Sequence, residues 1–144
     1  MQNPWAVLRN ANDADIPLFA TALLIAKDEY PELDSAAYES RIQAYSRSLD
    51  KFVRSAESEA AQLRSINNFL FDELGFSGDD KNYYDPRNSY LNDVLDRRLG
   101  NPISLAVVQI ELAQRLDQHL LRHPFHAAAD LRGAHGAMRE LRDD

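Results

Sequence analysis

Apolar residues recur every three or four positions through most of residues 1–116, the period of one helix face rather than the alternation of a half-buried strand. The clearest run is Tyr38, Ile42, Tyr45, Leu49, Phe52 and Val53. It predicts a helix with a narrow packed stripe, capped by Asp34 or Ser35. Before it, Leu18, Phe19, Ala22, Leu23, Ile25 and Ala26 make a wider stripe on a helix that begins around Asp15 to Pro17. Tyr30-Pro31 ends that helix, because the residue before proline avoids the helical region. A third helix is predicted from near Ser58 to Leu74, with Leu63, Ile66, Leu70 and Leu74 in register. Gly75 can take the left-handed conformation past its end and fold Phe76 back toward Phe71. Asn67 and Asn68 lie inside this helix and are expected to point to water or to tie down the next loop.

The pattern breaks at Ser77–Arg87, a polar loop in which Asp85-Pro86 marks a turn. Tyr83 and Tyr84 either pin this loop to the helices or line a shallow recognition groove. Asn88 or Ser89 is then placed to cap a short helix through Leu99, with Leu91, Val94, Leu95 and Leu99 inward and Gly100 as its stop. Asp93 near its start and Arg97-Arg98 near its end suit the helix dipole. Asn101-Pro102 restarts the chain as a helix that is apolar almost all round to Leu116. Ser104, Glu111 and Arg115 form its narrow polar strip, with Gln109 opposite. Such a helix belongs at the centre of a fold. Glu111 and Arg115 are spaced for a modest ion pair. The predicted class is mainly α, a helical bundle around a buried helix at 101–116.

Three motifs carry a resemblance. Phe71–Phe76 reads F-D-E-L-G-F, Tyr83–Leu95 reads Y-Y-D-P-R-N-S-Y-L-N-D-V-L, and Arg98–Leu105 reads R-L-G-N-P-I-S-L. In this order they resemble the SirB-type transglutaminase-like family over about residues 15–116. The resemblance implies the helical half of a transglutaminase-like domain, in a superfamily whose nucleophile is a Cys at the start of a buried helix. Pro102 falls where that Cys would stand, and proline has neither a nucleophilic atom nor an N–H. The resemblance also implies that proline at this position is common in the SirB-type branch. Beyond Leu116 the motifs give out: no G-H-F strand follows, and Asp117-Gln118 stands where a Gly-Leu turn belongs. Residues 117–144 are read as a divergent tail, replaced or out of frame relative to the family and partly helical, after a domain at 1–116.

Composition narrows the function. The 144 residues contain no cysteine, which excludes disulfides, thiolate catalysis and cysteine zinc sites. A formal charge of −7 disfavours nucleic acid and anionic lipid. No apolar run nears the roughly 18 residues of a membrane helix, and the start lacks a signal-peptide core, so a cytoplasmic location is expected. His119, His123 and His126 have helical spacing, but Pro124 interrupts it and no carboxylate motif accompanies them; they and His135 read as surface histidines. Asp79-Asp80 and Asp143-Asp144 read as solvated. No metal or cofactor is expected. Ser104 lies in the first turn of the central helix without a nucleophile elbow, and reads as bonded to local backbone. The leading expectation is a non-catalytic interaction or regulatory module for an unidentified protein partner. Its candidate surface is Tyr83, Tyr84, Asp85, Asn88, Tyr90, Asn101, Pro102 and Ser104, where a helix start could accept an acidic or carbonyl group. The alternative is a hydrolase or peptidase using Ser104 with a tail histidine. A central helix left uncovered by strands also predicts homodimerisation.

Overall fold

The computed structural model describes residues 3–9, 12 and 16–120. The described chain is mainly α. Helices α1 (Pro4–Arg9), α2 (Leu18–Glu29), α3 (Ser35–Arg54), α4 (Glu59–Asn67), α5 (Leu91–Arg97) and α6 (Pro102–Leu120) follow one another, and the short α1 is an element that periodicity does not predict. Asp34 caps α3 by accepting from the Ala37 N–H, and Ser58 caps α4 by accepting from the Ala61 N–H at 3.1 Å. Among the described residues no helix is long and apolar enough to cross a membrane.

The core confirms the central position of α6, which packs against α2, α3, α4 and α5. Phe19 and Leu23 meet Ile42, Leu49, Val53 and Ile66, and Leu105, Val108, Leu112 and Leu116 run through the middle. The stripes predicted from sequence are too wide at four places. Leu18 is exposed, Ile25 and Phe52 are about half exposed and Ile103 is 78% exposed. These are the residues at the edge of each stripe, where the helix surface turns from its neighbours to solvent. Apart from Ile103 and the half-buried Val107, the apolar residues of α6 to Leu116 are covered.

Polar ties fix α6 to its neighbours. Arg115 donates to Glu111 Oε1 at 2.7 Å and Gln43 Oε1 at 2.9 Å, and also to Glu39. The expected Glu111 pair is thus part of a link to α3. Gln109, almost fully buried, donates to Asn67 Oδ1. Asn67 therefore joins α4 to α6 instead of facing water or the next loop, while Asn68 is exposed.

Three local departures from the sequence reading shape one end of the bundle. First, α4 continues as a π-helical turn over Asn68–Glu73, and the Leu74 N–H bonds the Phe69 carbonyl at 2.9 Å. Phe69 and Leu70 within this turn are both buried in the core. Gly75 takes the left-handed conformation (φ 77°) as expected, and the Phe76 N–H reaches the Leu70 carbonyl. Second, Pro86–Asn88 form a 3-10 turn capped by Asp85, and α5 begins only at Leu91. Neither Asn88 nor Ser89 caps it; Tyr90 is at the cap position and makes no side-chain cap bond. Third, α5 stops at Arg98, not at Gly100. Arg98 is left-handed (φ 56°) and its guanidinium donates to the Leu74 carbonyl at 2.7 Å. That frees Leu99–Gly100 to pair as a strand (β2) in parallel with Ser77–Gly78 (β1).

Candidate functional site

The two-residue strands bring the loop after α4 against the start of α6. The Ser77 N–H bonds the Arg98 carbonyl and the Asp79 N–H bonds the Gly100 carbonyl, each at 3.0 Å. Gly100 is needed here for space. A Cβ on it would lie 2.6 Å from Ser104 Oγ and 3.2 Å from both Leu105 Cγ and Val94 Cγ1.

The start of α6 closes on itself. Asn101 Oδ1 accepts from the Ser104 N–H at 2.8 Å, and the Asn101 N–H donates to Ser104 Oγ at 3.0 Å. This is a capping box with serine in place of the usual glutamate. Ser104 Oγ then donates to the buried Asn88 carbonyl at 2.7 Å. The hydroxyl has its donor and acceptor roles filled, and its residue is buried. Pro102 has no N–H, and the Ser104 N–H is already bonded. The helix start has little left to offer an anion.

A cavity of about 280 Å³ opens beside this turn. Phe71, Phe76, Pro102 and Leu105 give it apolar wall, with Gly78 and Gly100 at the strand pair and Tyr83 at one side. Asp72, Asp79 and Asp80 also line it. Asp79 is buried, contrary to its reading as a solvated carboxylate. Its Oδ2 accepts from Arg97 Nη2 at 3.2 Å and its Oδ1 from the Asn82 N–H at 3.2 Å. Arg97 also donates to Asn88 Oδ1 at 3.3 Å, and Asn88 Nδ2 donates to the Asn82 carbonyl at 2.9 Å. The loop is thus held from below by Asn88 and Arg97. The tyrosines do not pin it: Tyr83 is about half exposed and Tyr84 is 92% exposed. Their rings meet edge to face with centroids 5.2 Å apart. Arg87 grips Asp85 through three hydrogen bonds of 2.7 to 3.2 Å, and this contact holds the Asp85 carboxyl down at about 2.

Of the residues singled out from sequence, Tyr83, Asn101 and Pro102 line the cavity, and Tyr84 adjoins it in the chain. Asn88 and Ser104 are buried struts behind it. Asp85 caps the turn, and Tyr90 packs edge to face on Tyr30 with centroids 5.7 Å apart. Sequence reasoning missed Phe71, Asp72, Asp79 and Gly100. The glycine pair Gly78 and Gly100, in two short loops, was the available signal for a close approach of backbones. Among the described residues no three His, Asp or Glu side chains are grouped as metal ligands would be. His123, His126, His135 and Asp143-Asp144 lie outside the described residues, as does all of the tail beyond Leu120.

Comparison with known proteins agrees with the motif reading. The model of the transglutaminase-like superfamily matches residues 32–125, past Leu116 where the motifs give out. A UPF0162 protein of Xylella fastidiosa (strain 9a5c) is 51% identical over 112 residues, which cover 78% of this chain and 40% of that protein. A UPF0162 protein of Pseudomonas aeruginosa is 36% identical over 104 residues, 69% of this chain and 37% of its own length. Human F-box only protein 21 is 31% identical over 103 residues, 69% of this chain and 16% of its own. The chain spans less than half the length of these curated relatives. No solved structure matches it.

Proposed function

The chain belongs to the transglutaminase-like superfamily, and we propose that within it this domain is a non-catalytic protein-interaction module that takes an apolar side chain of a partner into the cavity beside α6. One observation supports the reading above others. The cavity opens at the helix start where the resemblance implies a nucleophile, and Pro102 stands in its wall. A preformed concave site with phenylalanine, leucine and proline walls can still bind. The exposed Tyr83 lines the cavity, and the exposed Tyr84 and Ile103 follow lining residues in the chain, an exposed apolar set of the kind that marks contact surfaces. The partner's anchoring group is apolar rather than acidic, because Asp72 and Asp80 would repel an anion and the α6 cap is already closed. The hydrolase alternative gains nothing from the geometry, since Ser104 is a buried strut with its hydroxyl in use.

The test is affinity capture of partners from native cell extract. Tyr83→Ala combined with Tyr84→Ala is expected to abolish capture while leaving the melting temperature within a few degrees. Undiminished capture moves the site elsewhere. Turnover of a glutamine or peptide substrate that survives purification to homogeneity refutes the non-catalytic reading. A second copy of the chain is one candidate occupant of this surface, and light scattering of wild type against Ile103→Glu separates it from a foreign partner.

A further inference from the structure

A second opening, of about 560 Å³, lies between the α2–α3 turn and α5 and shares no residue with the α6 cavity. Glu29, Glu32 and Asp34 are exposed in its lining and have no ion-pair partner among the described residues. The lining holds one cation, Arg41. It is taken by Asp96 at 2.8 Å and lies over the Tyr38 ring at 5.0 Å. The groove is therefore negative, and stays so in the folded protein.

A second observation is independent of that charge. Asn92, only 7% exposed, lines the groove, and its buried Oδ1 has no hydrogen-bond partner. A buried amide oxygen without a partner is costly, and such groups in native folds call for an explanation. The last torsion of an asparagine is broad, so either end of the amide can turn to the opening. The floor around it is fixed. The Tyr30 hydroxyl donates to Asp93 at 2.6 Å and the Tyr38 hydroxyl donates to Asp96 at 2.8 Å.

We propose that this groove binds a basic peptide segment of a partner protein, with Lys or Arg side chains beside Glu29, Glu32 and Asp34 and a peptide bond paired with the Asn92 amide. An amide offers both donors and an acceptor, and a peptide bond complements both, whereas a polyamine brings donors alone. The carboxylates line the groove and, among the described residues, are not grouped as ligands around one ion, which favours an extended ligand over a metal. This site is separate from the cavity of the proposed function and stands without it.

Fluorescence anisotropy with a fluorescein-labelled peptide of alternating Lys and Ala tests the proposal, with alternating Glu and Ala as control. The Lys peptide binds, and its affinity falls as salt rises. Asn92→Ala weakens binding about tenfold, as expected for loss of a hydrogen-bonded pair to an otherwise unsatisfied amide. Glu29→Gln with Glu32→Gln weakens it by a similar factor of about ten, while both variants melt within a few degrees of wild type. Tyr83→Ala with Tyr84→Ala leaves it unchanged. The proposal is overturned if the Lys peptide fails to bind, if the Glu peptide binds equally, or if both groove variants keep affinity within about twofold of wild type. Asn92-dependent binding of spermidine that displaces the peptide also overturns it, by naming a polyamine as occupant.

Discussion

Replacing Gly100 with alanine perturbs the point where the loop after α4 meets α6. The added methyl would sit 2.6 Å from Ser104 Oγ, and that oxygen cannot swing away freely. It accepts from the Asn101 N–H and donates to the buried Asn88 carbonyl. Leu105 and Val94 close the other directions at 3.2 Å. Overpacking of this kind costs about 1–3 kcal/mol. Pushing the hydroxyl off leaves the Asn88 carbonyl without its partner, at about 1 kcal/mol more. The expected loss is about 2–4 kcal/mol, or roughly 6 to 20 °C in melting temperature for a chain of this size. Thermal and urea unfolding followed by circular dichroism measure it. Gly78→Ala is the control, since its Cβ would meet nothing closer than Asp80 Oδ1 at 3.7 Å, and it should be nearly neutral. Ser104→Ala in the Gly100→Ala background removes the clashing atom. The double variant should lose less than the sum of the singles by about 1 kcal/mol. A loss below about 0.5 kcal/mol for Gly100→Ala, or strict additivity with Ser104→Ala, would refute the packing argument.

Arg97→Met strips the buried Asp79 carboxylate of its countercharge and should cost about 2–4 kcal/mol in urea unfolding, with Asp79→Asn restoring much of it. Tyr30, chiefly through its hydrogen bond to Asp93, and Tyr38, chiefly through burial and then its bond to Asp96, are pushed up from 10.0 to about 12. Folding favours their protonated forms, so their contribution is whole below pH 10.0 and is lost as pH rises from there to about 12. Tyrosinate absorbance should place both near 12, and Asp93→Asn should return Tyr30 toward its ordinary value. Asp85 behaves in the opposite sense: the Arg87 contact stabilises the 3-10 turn above pH 3.8 and fades toward pH 2, so amide exchange in Pro86–Asn88 should quicken over that interval. A fluorophosphonate probe should leave the folded chain unlabelled, because Ser104 is buried and hydrogen-bonded.

What the sequence disclosed, it disclosed through local physics. The stripe from Tyr38 to Val53 apart from Phe52, the Asp34 cap, the left-handed Gly75 and the Asn101-Pro102 restart each depend on residues close in the chain, and each stands in the structure. The site was only half legible, because its other half is non-local. Asp79 is neutralised by Arg97, eighteen positions away, and β1 finds β2 across a turn, a loop and a helix. A two-residue strand has no periodicity to detect. Arg98 in the left-handed region went unseen because Gly100, two residues on, is the more usual helix stop. Its carbonyl and guanidinium are both engaged by the neighbouring loop, which fixes the conformation that its own side chain disfavours.

The widened turn at Asn68–Glu73 sets the tolerance of this domain to change in chain length. Phe71 and Asp72 face the cavity from inside that turn, and Phe76 follows just after it. Removing one residue there would restore regular winding and swing the following segment by about 100° about the helix axis. A deletion that leaves every helix intact would therefore dismantle the cavity wall. A conservative exchange of Phe71 for leucine would only reshape it.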